Sequence, residues 1–358
     1  MLFSLGAPNI TPVNHTPPSR HTPPSRHTGR LGAATIGIAA LALSACGGDD
    51  GALTLYSGRG EDLVQPVVDA CETELGTEIE VRYGDSAEML LLIQEEGDNT
   101  PADIYYSQGA GFLGALSSSG ALATLDSDLI GLVADPGLAS PTADWVGITG
   151  RARTVVYNTD TLTAEDLPAS FADFTDPAWA GRIGWAPTNA SFQDHVTALR
   201  GMLGEDGARA WLEGIMANDP IAYDGNTAVL EAVANGEVEV GFVNHYYLYQ
   251  FLAEDPGFPV ANRFYTDGDP GALVNVAGAG VLATTDRPDA AQDLIRCLLS
   301  TDSQEYFAGT NYELPVIAGV EPWADLPRLD SLELPAFDLN LLADLDGTVE
   351  LLIEVGAL

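Results

Sequence analysis

Leu53-Thr54-Leu55-Tyr56 followed by Ser57-Gly58-Arg59-Gly60 and then by the helical period of Glu61–Leu75 sets the fold of this chain. Four β-formers read as a short strand, and the loop bounded by Gly58 and Gly60 turns it into a helix. The unit then repeats: a strand over 78–83, a helix over Ser86–Glu96, a strand over 103–106 and a Gly-rich helix start. Short β-type runs alternating with helical ones specify an α/β fold. Val155-Val156-Tyr157 reads as a crossing strand into a second α/β unit. That unit holds a strand over 182–186, helices over 191–203, 207–216 and 228–234, and a strand over 238–243. A strand near 278–282 and a helix over 288–299 return to the first unit, and an amphipathic helical period follows Leu341.

The expected organisation is therefore two lobes joined by two or three crossing segments. Residues 53–150 form the first part of lobe one, 151–276 lobe two and 277–330 the second part of lobe one. A C-terminal helical segment, 331–358, packs on a lobe.

Charge narrows the partners. Of 358 residues, 52 are Asp or Glu and 14 are Arg, with no Lys, giving a formal charge of −38. Such a surface repels nucleic acid and anionic membrane. An acidic, lysine-free composition suits a medium of high salt, where counterions screen the self-repulsion.

The first 45 residues differ in kind, with no acid and the near-repeat His15-Thr16-Pro17-Pro18-Ser19-Arg20, His21-Thr22-Pro23-Pro24-Ser25-Arg26. Such a Pro-rich stretch has no means of building a core and is expected to be disordered. The apolar run 31–43 is short for a membrane span and suits a signal h-region. It ends in Leu43-Ser44-Ala45-Cys46, which resembles a bacterial lipobox and implies a leader over 1–45, lipidation of Cys46 and a tether over 46–52. The expected location is extracytoplasmic, with a lipid anchor as the only membrane attachment. Cys71 and Cys297, on the apolar faces of their helices, are disulfide candidates in that oxidising setting, or else two buried thiols.

Val243-Asn244-His245-Tyr246-Tyr247-Leu248-Tyr249 carries the chemistry. Neighbouring side chains on a strand point to opposite faces, so Tyr246 and Tyr247 converge only where a strand ends and a helix begins. Two phenolates at one point suit a hard, highly charged cation such as ferric iron. A free phenol, with a pKa of about 10, stays protonated at neutral pH until such a cation displaces the proton. His245, between Asn244 and the tyrosines, reads as structural, and His195 as an exposed helix residue.

In order along the chain stand Tyr56-Ser57-Gly58-Arg59, Pro101-Ala102-Asp103-Ile104-Tyr105-Tyr106 and Gly150-Arg151-Ala152-Arg153-Thr154-Val155-Val156-Tyr157. Asn235-Gly236-Glu237-Val238, Asn244-His245-Tyr246-Tyr247 and Asp269-Pro270-Gly271-Ala272-Leu273 follow. Together these motifs resemble the iron(III)-binding proteins of bacterial ABC importers, over residue 53 to the end. The resemblance implies a two-lobed type II periplasmic-binding-protein fold with a hinge and a central ligand cleft. It also implies a monomer that delivers ferric iron to an ABC transporter permease, with Tyr246 and Tyr247 as metal ligands.

Departures from the family pattern matter. Many members place a histidine in the loop after the first strand and a glutamate after the third, where this chain has Gly60 and Gln108. Close relatives with the Tyr-Ser-Gly-Arg loop often carry Asp after that Gln, and here it is Gly109. Tyr106 and Gln108 are left as candidates for reaching the metal or the cleft from lobe one. Iron held by two tyrosines then takes further oxygens from a synergistic anion such as carbonate or phosphate. Candidate anion-binding residues are Arg59 with Ser57 in the first loop, Thr188-Asn189-Ala190-Ser191 before a helix, and Asn226 and Asn244. The same fold with a metal-free organic or phosphorus oxyanion is the alternative. No Gly-x-Ser-x-Gly, His-Glu-x-x-His or Cys-x-x-Cys supports an enzyme.

Overall fold

A computed structural model describes residues 51–323 and 326–358. The expected leader over 1–45, Cys46 and most of the 46–52 tether lie outside the described residues.

β1 (Leu53–Ser57) pairs in parallel with β2 (Ile79–Tyr83) and β3 (Ile104–Ser107). α1 (Glu61–Leu75), α2 (Ser86–Glu96) and α3 (Ala110–Ser119) connect or follow them, and a single turn, α4 (Ser127–Ile130), comes next. β4 (Val146–Asn158) is buried at all of its 13 residues. Beyond it come β5 (Ile183–Trp185), α5 (Ala190–Ala217), β6 (Ile221–Ala222), α6 (Asn226–Ala234), β7 (Val240–Asn244), α7 (Tyr246–Glu254) and β8 (Val260–Arg263). β9 (Val274–Val281), α8 (Pro288–Leu298), α9 (Thr301–Asn311), β10 (Leu314–Pro315) and α10 (Leu345–Glu354) complete the chain.

The strand order is β2-β1-β3-β9-β4-β7-β5-β6, with β8 and β10 also on β4. β4 belongs to both halves. Its first part pairs antiparallel with β9 and β10, and its last part with β7 and β8. The first half has one apolar core, around Leu55, Ile104 and Val276. The second has two clusters, one around Phe171, Trp211 and Phe242 and one around Val156, Val229 and Val243. The fold is the expected mixed α/β architecture with two lobes.

Most elements fall where the periodicity puts them, and the differences have physical causes. The crossing strand read at 155–157 is the end of β4. Burial on both faces and Gly147, Gly150, Arg151 and Arg153 erase the alternation that marks a strand. The two helices over 191–203 and 207–216 join as α5, broken at Gly204, whose φ of 75° only glycine adopts freely. Cys71 on α1 and Cys297 on α8 form a disulfide, with Cα atoms 5.8 Å apart.

The C-terminal segment touches two helices. Residues 339–343 lie on α3, where Gly111 and Gly114 permit the approach: a Cβ there would stand 2.6 Å from the Leu342 carbonyl oxygen and 2.7 Å from that of Asn340. α10 packs on α5 through buried Leu351 and Leu352, and burial of each leucine stabilises by roughly 1.5–3 kcal/mol. Among the described residues no helix is long and apolar enough to cross a membrane.

Candidate metal centre

β7 ends at Asn244, His245 starts the turn, and Tyr246 and Tyr247 open α7. Placing adjacent residues in the first helical turn brings both rings to one side. Their centroids are 4.5 Å apart and their planes 27° from parallel. Three hydrogen bonds pin this junction: His245 Nδ1 accepts from the Ala152 amide (3.1 Å), Nε2 donates to the Tyr312 carbonyl (2.8 Å), and Asn262 Nδ2 donates to the His245 carbonyl (3.0 Å). Burial pushes the His245 ring down to about 4, so it is neutral and structural as expected. Burial also raises the Tyr246 phenol, the Tyr247 phenol beside it adds to the shift, and Arg151 offsets part of it. Tyr246 is therefore held in its protonated form until a cation replaces the proton.

Two arginines on β4 face the pair. Arg151 and Arg153 are two residues apart, on one face of the strand, and each is only 3% exposed. Arg153 donates to Asn244 Oδ1 (2.9 Å) and the Phe242 carbonyl (3.0 Å), and burial depresses it to about 10 against the opposing pull of Tyr247, Tyr246 and Asp194. Arg151 donates to the Gln108 carbonyl. The Nε of each has no partner, and neither makes an ion pair among the described residues. Asp194 acts on both arginines without forming an ion pair with either, so one carboxylate faces two buried cations here.

The anion-side candidates divide. Asn189 caps α5 by accepting from the Ser191 amide (3.1 Å), Asn226 Nδ2 donates to Asn189 Oδ1 (3.2 Å), and Asn244 Nδ2 donates to Ser191 Oγ (3.1 Å). These four form one network that ends on Arg153, and Asn226 Oδ1 is buried without a partner. Thr188 and Ala190 are exposed beside it. Arg59 departs from expectation: 3% exposed, it donates to both carboxylate oxygens of Glu313 (2.8 and 3.0 Å), itself 2% exposed. Glu313 thus takes Nη2 of the guanidinium, while Nε is buried without a partner. Ser57 departs likewise, because its Oγ closes the loop on the Arg59 amide and carbonyl (3.2 and 3.0 Å).

Tyr106 is fully buried, its Oη lacks a partner, and it lies within the influence of Arg59, Glu313 and Arg151. Gln108 is exposed and lines a cavity of about 320 Å³ with Gly109, Arg151, Ala190, Ser191 and Asp194. His195, expected to be exposed, is buried: its ring packs 4.7 Å from Phe171 and its Nε2 bonds the Pro270 carbonyl (2.9 Å). Sequence reasoning singled out no role for Arg151, Arg153, Asp194, Asn275 or Glu313. The signal was there for the first two, as paired arginines inside an otherwise apolar strand.

A family model for bacterial extracellular solute-binding proteins matches residues 99–334. The chain belongs to that family. This solute-binding protein is 31% identical over 307 residues to the major ferric iron-binding protein of Neisseria meningitidis serogroup B, a match covering 85% of this chain and 92% of the relative. It resembles iron-bound HitA from Pseudomonas aeruginosa at 32% identity and a TM-score of 0.76, over 86% of this chain and 99% of that one. It also resembles the Trichodesmium protein IdiA (FutA) in complex with iron and citrate ligands, at 26% identity and a TM-score of 0.77, with the same coverage. Among the described residues no group of three His, Cys, Asp or Glu side chains is placed to hold a metal.

Proposed function

We propose that this protein binds ferric iron through Tyr246 and Tyr247, together with a synergistic anion such as carbonate or phosphate, and delivers it to an ABC transporter permease. The observation that carries the reading is the stacked phenol pair beside two buried arginines that make no ion pair and whose Nε atoms have no partner. Iron is taken first by the tyrosines of lobe two. The anion sits on the network of Asn189, Ser191, Asn226 and Asn244, with Arg151 and Arg153 supplying the positive charge. Tyr106, with its unpartnered Oη, is the candidate for a further metal contact from lobe one, and Gln108 edges the cleft. Closure of the hinge then excludes water, and reopening with loss of the anion, or proton competition for the phenolates, releases the cargo. Cys46 carries the lipid that holds the monomer on the outer side of the cell membrane.

The test is an absorption titration of iron-stripped protein with ferric salt and hydrogen carbonate. A visible phenolate-to-iron band is expected, and the Tyr246→Phe/Tyr247→Phe variant should lack it. Persistent colour and tight binding in that variant would refute the assignment. Binding of phosphate or an organic acid alone, with no response to iron, would favour the metal-free oxyanion instead.

A further inference from the structure

Asp194 stands near the start of α5, half-buried, on the wall of the 320 Å³ cavity beside Arg151, Ser191 and Gly109. Its Oδ2 accepts from Asn275 Nδ2 (2.8 Å), and Asn275 Oδ1 accepts from the Ala110 amide (3.2 Å) at the start of α3. A Cβ on Gly109 would lie 3.5 Å from the same Oδ2, so the carboxylate faces bare backbone across the cavity.

The charges around this space can be counted. Arg151 and Arg153 are positive and act on Asp194, which is negative. Arg59 and Glu313 cancel one another. Asp85, also on the cavity wall, is exposed, and solvent screens it. The fixed groups sum to +1, and a ferric ion with two phenolates adds another +1. A dianion neutralises that total, whereas a third negative charge stays uncompensated in a desolvated place. Volume does not make the choice, because a cavity of this size has room for an organic tricarboxylate as well as for carbonate.

We propose that Asp194 sets the charge of the co-bound anion, admitting dianions and opposing trianions. The assignment rests on the iron-binding reading above. Specificity of this kind comes from a repulsive group as much as from attractive ones. The experiment compares apparent iron affinity, by competition with a chelator, in hydrogen phosphate and in citrate, for wild type, Asp194→Asn and Asp194→Glu, with circular dichroism to establish folding. Asp194→Asn should raise the citrate-to-phosphate affinity ratio about tenfold or more, from the loss of one like charge at short range, and Asp194→Glu should keep the wild-type ratio. Gly109→Asp, which has room for its Cβ, should move the ratio the other way and serves if Asp194→Asn does not fold. An unchanged ratio in Asp194→Asn, or in Gly109→Asp where only that variant folds, overturns the proposal while leaving iron binding intact. Absence of the phenolate band in wild type with either anion overturns both.

Discussion

Replacing Glu313 by Gln tests the buried pair that the sequence did not foresee for Arg59. The guanidinium is 3% exposed and its partner 2% exposed, so the variant strands a cation that water cannot reach. Breaking a buried pair by removing one partner costs about 3–5 kcal/mol, while removing both charges with apolar residues of similar volume is often neutral or better. Glu313→Gln is therefore expected to lose about 3–5 kcal/mol, and Arg59→Met/Glu313→Leu to recover most of that loss. Urea unfolding followed by tryptophan fluorescence measures both. In 1 M salt, where the screening length is about 3 Å, surface pairs fade and this loss should persist. A single-variant loss below about 1 kcal/mol, or a double variant as unstable as the single, would show that Arg59 is not held as a buried ion pair.

The remaining expectations concern stability. Reducing the Cys71–Cys297 disulfide, which closes a loop with a sequence separation of 226, should cost about 5 kcal/mol by loop-closure entropy, read as the urea-stability difference between oxidised protein and Cys71→Ser. Burial pushes the Asp194 carboxyl up to about 6, against the pull of Arg151 and Arg153. The folded state then holds this proton more tightly than the unfolded one, so the contribution is present near pH 4 and is lost as pH rises through 6. Apo wild type should lose roughly 2 kcal/mol relative to Asp194→Asn between pH 4.5 and 7.5, and a flat difference across that range would contradict it. With a charge of −38, the protein should lose stability on dialysis into low-salt buffer, and full stability there would remove the high-salt reading.

What was legible in the sequence was local. The bounds of α1 and α2 follow from helical period and flanking loop residues, and the convergence of Tyr246 and Tyr247 follows from the geometry of a strand-to-helix junction. β4 was legible only at its end, because a strand buried on both faces has no alternation to read. The Glu313 partner of Arg59 was missed for a different reason. A fork in a glycine-bounded loop suggests an anion, but its partner lies 254 residues away and no local pattern names it. Burial of His195 likewise depends on Phe171 and Pro270, both distant in sequence. Asp194 and Asn275 meet across 81 residues, so the carboxylate in the cavity wall had no local signature either.

The C-terminal segment has a mechanical consequence. It is fastened at one end to α3 through Leu342 and at the other to α5, where Thr348 meets Thr197 at 2.7 Å and Arg200 holds the Asp344 carbonyl at 2.9 Å. Both helices also contribute to the cavity wall, together with the start of α2. The segment is thus a stay between the walls, with little slack between its two fastenings. Lengthening it means unwinding the first turn of α10, and each residue so released gains about 2 Å of reach. On this geometry, any widening of this edge would be counted in helix residues near Asp344.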